Sequence, residues 1–116
     1  MTDTLKVTLN KREGLSVIYT EGYINNQGGE EIAKIAYKLI EDGERKILLN
    51  LAGTKIVNSI GISILIEIIE QILEVKGRLG FCCLTKTIAK TFHIMGLAQY
   101  ADIYDDEAAG IAGMNS

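Results

Sequence analysis

Strand-like and helix-like patterns of apolar residues alternate along the chain. Near its start, Leu5 to Leu9 alternates between apolar and polar residues, which predicts a half-buried strand. A turn over Lys11-Arg12-Glu13-Gly14 leads to a return strand from Leu15 to Tyr19, so these segments predict a hairpin. The polar stretch from Gly22 to Gly29 is then expected to be a loop.

A first helix is predicted after this loop. Apolar residues recur at helical spacing from Ile32 to Ile40. Glu30 and Glu31 would lie in the first turn of this helix, where carboxylates interact favourably with the helix dipole. Gly43 is expected to end it.

The rest of the chain continues this alternation of strands and helices. Lys46 to Leu51 is a nearly continuous apolar run, which is typical of a central strand covered on both faces. The further predicted elements are a helix from about Ile60 to Lys76 ended by Gly77, a strand from Leu79 to Leu84, a helix from its cap Thr85 through Met95 closed by Gly96, a short strand from Ala101 to Tyr104, and a tail from Asp105 to Ser116 that forms one more helix.

The predicted order of elements is therefore β-β-α-β-α-β-α-β-α. This order predicts an α/β fold in which a mixed sheet of four to five strands carries about four helices. We expect one domain over residues 1–116, with a C-terminal helix and a loose tail from about residue 106. In such sheets, functional residues tend to lie at the carboxyl ends of strands and the adjoining helix N-termini.

The junction before the second predicted helix lies in such a place. Asn58 is a good N-cap residue, so Ser59 would lie in the first helical turn. Backbone N–H groups and the helix dipole could hold a phosphate on Ser59, with its charge of about −1.5 to −2. The spacing alone favours the simpler interpretation, in which Asn58 is a cap and Ser59 is an ordinary helix-start residue.

The second predicted helix has more apolar surface than packing on a sheet requires. At about 100° per residue, its core face carries Ile62, Leu65, Ile66, Ile69, Ile72 and Leu73. A further apolar strip consists of Ile60, Ile64, Ile68 and Val75. Two hypotheses account for this strip. It packs against a neighbouring helix, or it binds a partner beside Ser59, where a phosphate would disrupt an apolar interface.

Composition and charge narrow the classes of function. The 116 residues suit one domain, and the net charge of -3 with scattered Lys and Arg gives no reason to expect nucleic-acid binding. The longest apolar stretch, Ile60 to Ile69, contains Ser63 and Glu67 and falls short of a membrane span. Residues 1–6 have neither the basic nor the apolar region of an export signal, so we expect a cytoplasmic protein.

The residues with the most reactive side chains do not form a catalytic pattern. Cys82 and Cys83 are adjacent in a predicted strand, where a bridge between them would be strained, so we expect buried reduced thiols. The one histidine, His93, has no accompanying Asp-His-Ser or metal-ligand spacing. The sequence contains neither GxGxxG nor GxxxxGK(S/T), the glycine-rich motifs that bind phosphates, so it does not support a nucleotide-binding module. We therefore expect protein binding rather than catalysis, with no metal and no cofactor.

Five segments of the chain share the order and spacing of one known family. They are the opening hairpin, Gly22-Tyr23-Ile24-Asn25, the strand from Lys46 to Leu51, Asn58-Ser59-Ile60-Gly61 with its helix, and Phe92-His93-Ile94-Met95-Gly96-Leu97. Together they resemble the STAS domains (sulphate transporter and anti-sigma-factor antagonist), especially the bacterial anti-sigma-factor antagonists. The resemblance covers nearly the whole chain.

This resemblance implies a function. Such an antagonist binds an anti-sigma factor that is also a serine kinase, and so frees a sigma factor for transcription. The kinase phosphorylates the antagonist and releases it, and a serine phosphatase resets it. The family's phosphorylated serine maps onto Ser59. With the apolar strip, this predicts partner contacts at Asn25, Asn58, Ser59, Ile60, Gly61, Ile64 and Ile68.

Three positions depart from the family pattern. Asn58 replaces the Asp before the serine, Ile60 replaces a second Ser or Thr, and Asn25 replaces a loop Asp. Fewer acidic groups would lower the repulsion on a phosphate, whereas a kinase that recognises the Asp would not accept this chain. An alternative within the family is a scaffold or regulatory subunit of a stress-sensing assembly or a lipid-transport ATPase, without a phosphorylation switch. Either protein would be a monomer or a weak homodimer.

Overall fold

The computed structural model describes residues 5–12 and 14–116. Its elements are β1 (Lys6–Arg12), β2 (Leu15–Glu21), α1 (Asn26–Glu41), β3 (Lys46–Gly53), α2 (Ser59–Glu74), β4 (Arg78–Cys82), α3 (Lys86–Ile94), a 3₁₀ helix (Leu97–Gln99), β5 (Asp102–Tyr104) and α4 (Glu107–Met114). This order of strands and helices confirms the predicted α/β fold. Lys11 and Arg12, predicted as turn residues, instead extend β1 and pair with Ser16 and Leu15 of β2. The predicted turn residue Glu13, and residues 1–4 of the segment inspected for an export signal, lie outside the described residues.

The five strands form one mixed sheet in the order β1-β2-β3-β4-β5. β1 pairs antiparallel with β2, and each later pair of neighbouring strands is parallel. The carboxyl ends of the four parallel strands therefore lie at one edge of the sheet. Because α1, α2 and α3 each follow such a strand, their N-termini lie at that edge too.

Both faces of the central strand β3 are covered, as its apolar run predicts. Ile47, Leu49 and Leu51 belong to the core that includes residues of α1, α2 and α3. Leu48 points to the opposite face and belongs to a smaller core with Met114 of α4. The predicted C-terminal helix is present as α4, and it is packed on the sheet through Met114, which is fully buried.

The first helix begins earlier than its apolar pattern predicts. Asn26 is its first residue, so Glu30 and Glu31 are not in the first turn, and the predicted loop ends at Asn25. The reason is packing of the two glycines in the first turn. A Cβ on Gly28 would come within 2.7 Å of the Tyr23 carbonyl oxygen, and one on Gly29 within 2.8 Å of the Ile64 side chain.

Two further predictions of buried side chains need correction. β4 ends at Cys82, and Cys83 follows it with φ of 64° and is only half-buried. Cys82 is buried as predicted, and burial raises the pKa of its thiol above the usual range. Leu73 is predicted in the core, but 43% of its surface is exposed.

Within the described residues, no helix has the length and apolar character needed to cross a membrane.

Candidate partner-binding site

Two loops are joined by backbone hydrogen bonds at the carboxyl edge of the sheet. They follow β2 and β3, and they lead into α1 and α2. The Ile24 N–H donates to the Ile56 carbonyl at 3.0 Å, and the Asn58 N–H donates to the Ile24 carbonyl at 3.1 Å. Ile24 and Val57 form an isolated parallel bridge. This pairing extends the sheet past the strand ends and fixes the start of both helices relative to each other.

An asparagine caps each of these two helices. The Asn25 Oδ1 accepts a hydrogen bond from the Gly28 N–H at 2.9 Å. The Asn58 Oδ1 accepts one from the Gly61 N–H at 2.7 Å, which confirms the predicted N-cap. Each amide oxygen satisfies a backbone donor that the first helical turn would otherwise leave unpaired. Both asparagines therefore have a structural role at the positions predicted to contact a partner.

Gly61 allows the start of α2 to lie directly against the neighbouring loop. The residue is buried, and a Cβ there would overlap the Ile24 carbonyl oxygen and come within 3.0 Å of the Ile24 Cγ2. Such overlap would push the two loops apart. The predicted site residue Gly61 therefore packs against the neighbouring loop and is not accessible to a partner.

Ser59 is the first residue of α2 and is exposed. Its carbonyl accepts a hydrogen bond from the Ser63 Oγ at 3.1 Å, within the exposed face of the helix. The N-terminus of a helix carries a partial positive charge, so a negative group on Ser59 would be stabilised there. Exposure and position together make this hydroxyl accessible to a modifying enzyme.

Two large apolar side chains within three residues of this serine in the chain are also exposed. Ile60 is 52% exposed, as expected for a partner contact, and Ile56 is 57% exposed. Sequence reasoning did not single out Ile56, although an isoleucine in a short predicted loop is a signal that could have found it. Ile56, Ser59 and Ile60 form what we call the α2 N-terminal surface.

The predicted apolar strip does not continue as a partner surface beyond Ile60. Ile68 is fully buried, and Ile64 is half-buried with its side chain against Gly29 of α1. The hypothesis of packing against a neighbouring helix therefore describes both residues, and the prediction that Ile68 contacts a partner is wrong. The missing side chain at Gly29 brings α1 close enough to cover Ile64, and Ile68 lies in the main core of the protein.

Reactive side chains elsewhere do not converge on this surface. His93 lies exposed in the last turn of α3. In the described part of the chain, no three His, Cys, Asp or Glu side chains lie close enough together to hold a metal ion. The α2 N-terminal surface therefore offers one hydroxyl, two apolar contacts and the positive end of a helix, which suits recognition of another protein.

Comparison with known proteins agrees with this geometry. The model of the STAS domain family matches residues 6–110. The chain belongs to the STAS domain family. The STAS chain is also similar to BtrV of Bordetella bronchiseptica, which is named as a candidate anti-sigma factor antagonist. The two are 22% identical over 112 residues, which is 97% of each chain.

Solved structures of this fold include several proteins described as anti-sigma factor antagonists. One from Mycobacterium paratuberculosis has a TM-score of 0.88 with 16% identity, covering 100% of this chain and 98% of that chain. The Bacillus cell fate determinant SpoIIAA in its phosphorylated form has a TM-score of 0.71 with 21% identity, covering 90% and 96%. SpoIIAA in its unphosphorylated form has a TM-score of 0.73 with 18% identity, covering 89% and 91%. At these identities the likeness concerns the fold.

Proposed function

We propose that this STAS chain is an anti-sigma-factor antagonist that uses its α2 N-terminal surface to bind a kinase-type anti-sigma factor. By occupying the anti-sigma factor it would free a sigma factor in the cytoplasm. The observation that carries the proposal is that Ser59, at the start of α2, is exposed together with Ile56 and Ile60, which are close to it in the chain. The family membership and the names of the related proteins point to the same role.

Phosphorylation of Ser59 would switch this binding off through local charge. A phosphate brings a charge of about −1.5 to −2, and burying it between Ile56 and Ile60 in an interface would cost desolvation energy. Within the free protein, the positive end of α2 would offset that charge. A serine phosphatase would then restore binding. That SpoIIAA has been solved with and without phosphate supports a switch of this kind.

The asparagines at positions 25 and 58 bear on which kinase could act. Each caps a helix with its amide oxygen, a role that an aspartate performs equally well. Replacing the family's acids by amides thus preserves the fold and removes two negative charges beside Ser59. The loss of these charges favours a partner kinase whose recognition of the antagonist does not depend on acidic residues at positions 25 and 58. It also supports the alternative, a STAS scaffold or regulatory subunit without a switch.

The first experiment uses the protein as bait in lysate of its source organism, with ADP and Mg²⁺ present. Parent, Ser59→Asp and Ser63→Asp baits would run in parallel, with bound proteins identified by mass spectrometry. Ser63 is the matched control because it is an exposed serine on α2 one turn further along. We expect the parent and the Ser63→Asp bait to recover a small ATPase-kinase. Ser59→Asp should recover at least about tenfold less.

The outcomes separate the two candidate functions. Loss of the kinase from the Ser59→Asp bait alone supports an antagonist with a working switch. Recovery of the same partners by all three baits, or of transporter or scaffold subunits, contradicts the switch and supports the alternative. Titration of the purified kinase into each variant then gives the affinities directly.

A further inference from the structure

A second apolar surface lies at the other end of α2. A groove of about 760 Å³ separates the C-terminal half of α2 from the segment that follows α3. Leu73, Met95 and Tyr100 line it with 43%, 50% and 63% of their surfaces exposed. Ile69 and Leu97 are buried beneath them. This concentration of exposed large side chains marks a docking surface, because most large apolar side chains of this fold are covered.

The groove is a consequence of the chain's path after α3. Gly96 has φ of 83°, a left-handed conformation that turns the chain out of the helix. The 3₁₀ helix that follows is anchored by Leu97, which is 1% exposed. Met95 and Tyr100, on either side of this anchor, are left facing α2 across the groove. Leu73 of α2 therefore lines the groove opposite these two side chains and is not covered by them.

The charge along the groove is negative. Glu70 and Glu74 line it, one helical turn apart, and like charges at this spacing repel each other. The last turn of α2 contains no basic residue, so both carboxylates also face the negative end of the helix dipole. Among the described residues, the ion pairs with N···O distances of up to 4.0 Å include neither Glu70 nor Glu74. The next basic residue in the chain, Lys76, lies beyond the C-cap of α2. A cationic partner would relieve both unfavourable interactions.

We propose that this groove binds a basic amphipathic helix of another protein, separately from the α2 N-terminal surface. Its apolar residues would lie on Leu73, Met95 and Tyr100, and its Lys or Arg side chains would pair with Glu70 and Glu74. In helix-in-groove binding, the apolar anchors of the bound helix lie at positions i, i+3, i+4 and i+7. A second copy of this chain is a poor occupant, because two-fold pairing would bring the same carboxylates together.

The groove is distant from the proposed phosphorylation site. Leu73 follows Ser59 by fourteen residues on one helix. At 1.5 Å per residue this corresponds to about 21 Å along the α2 axis. Occupation of the groove is therefore compatible with docking or phosphorylation at the α2 N-terminal surface, so the protein can join two partners.

The test is a titration of the intact protein with a synthetic helical peptide, followed by ¹⁵N and methyl NMR. The peptide has about four turns, with Leu at positions i, i+3, i+4 and i+7 and Lys elsewhere. A peptide with Glu in place of Lys and a scrambled Leu/Lys peptide are controls. We expect shifts confined to the second half of α2 and residues 95–100, and binding that weakens with salt.

Variants separate the groove from the rest of the surface. Leu73→Ser and the double variant Glu70→Gln/Glu74→Gln should each weaken the Leu/Lys peptide by about tenfold. All three residues are exposed, so the fold should be retained. The double variant Ile56→Ser/Ile60→Ser, at the other end of α2, is the matched control and should bind like the parent.

Several results would overturn the proposal. Absence of binding at about 1 mM Leu/Lys peptide is one. Equal binding of the Leu/Glu or scrambled peptide is another, as is a set of shifts outside the groove. Sedimentation that shows a parent dimer lost in Leu73→Ser would assign the groove to a second copy of this chain instead.

Discussion

At the scale of single residues, Gly61 sets how closely the loop before α1 approaches the start of α2. Its α-carbon lies where any side chain would overlap the Ile24 carbonyl. The same two loops carry the caps of both helices, and the second loop leads directly to the exposed Ser59. The α2 N-terminal surface therefore depends on a residue that cannot itself touch a partner.

We predict that Gly61→Ala destabilises the protein by about 1–2 kcal/mol net, because displacing backbone for the added methyl group costs at the upper end of about 1–3 kcal/mol. The gain in helix propensity, about 1 kcal/mol, offsets only part of this cost. Urea denaturation of the parent and the variant measures the difference. Ser63→Ala is the control, since it places alanine on the exposed face of the same helix and should change stability by no more than about 0.5 kcal/mol. Equal stability of Gly61→Ala and parent would contradict the close approach.

Residue types at the site explain what could be predicted from sequence. Asn58 was identifiable as a cap because its side chain bonds to the helix that follows it, three residues away. Ile64 was not separable from a partner surface, because it packs against Gly29, thirty-five residues earlier in the chain. Ile68 was not separable either, because its burial depends on the core that the whole fold assembles. A local pattern of apolar residues shows that a surface must be covered but not what covers it.

At the scale of elements, one carboxylate ties the start of α4 to the sheet. The Glu107 side chain accepts hydrogen bonds from the Tyr19 Oη, the Arg12 Nη1 and the Asn50 Nδ2, each at 2.9 Å. These donors come from β2, β1 and β3, so the first residue of α4 holds three strands. Burial, followed by the hydrogen bond and charge of Glu107, raises the pKa of Tyr19.

Removing this carboxylate should loosen α4. We predict that Glu107→Ala costs about 1–3 kcal/mol in free energy of unfolding, because Asn50 is buried and would lose its acceptor. Glu107→Gln, which keeps an acceptor oxygen, should cost less. Chemical denaturation gives both values, and hydrogen exchange of the α4 amides shows whether the loss is local. An alanine variant as stable as the glutamine variant would contradict this role.

Element boundaries show where sequence reasoning stops. The order of the strands and the caps Asn58 and Thr85 follow from local patterns, and the structure confirms them. The ends of β1 and β4 differ from the predicted ones, because β1 includes Lys11 and Arg12 and β4 stops at Cys82. The start of α1 does not, because Gly28 and Gly29 have poor helix propensity and read as a loop. Their place in the first turn depends on backbone and side chains brought close by the fold. Tertiary packing overrides propensity at those two residues.

At the scale of the whole molecule, one helix connects two surfaces of different chemistry. The N-terminus of α2 presents Ser59 with Ile56 and Ile60, and its C-terminal half presents Leu73 with Glu70 and Glu74. The helix between them is clamped by the sheet on one side and by α1 on another, with Leu65 and Ile68 fully buried. We expect a helix packed in this way to be rigid and to separate the two surfaces without coupling them.

This rigidity predicts that a negative charge at Ser59 changes binding without changing the fold. Ser59→Asp should leave the free energy of unfolding unchanged or raise it by up to about 1 kcal/mol at low ionic strength, because the charge lies at the positive end of α2. In Ser63→Asp, the fifth residue of the helix, the gain should be smaller because the dipole effect declines beyond the first turn. Urea denaturation measures both.

NMR spectra of the same two variants locate the change. We expect amide shifts in Ser59→Asp to stay within the two joined loops and the first two turns of α2. The amide resonances of the groove residues Leu73 and Tyr100 should have the same chemical shifts as in the parent protein. Shifts that reach the groove, or a loss of more than about 1 kcal/mol, would mean that a charge at Ser59 acts by rearranging the fold. The two ends of α2 would then be coupled, and phosphorylation at one would control binding at the other.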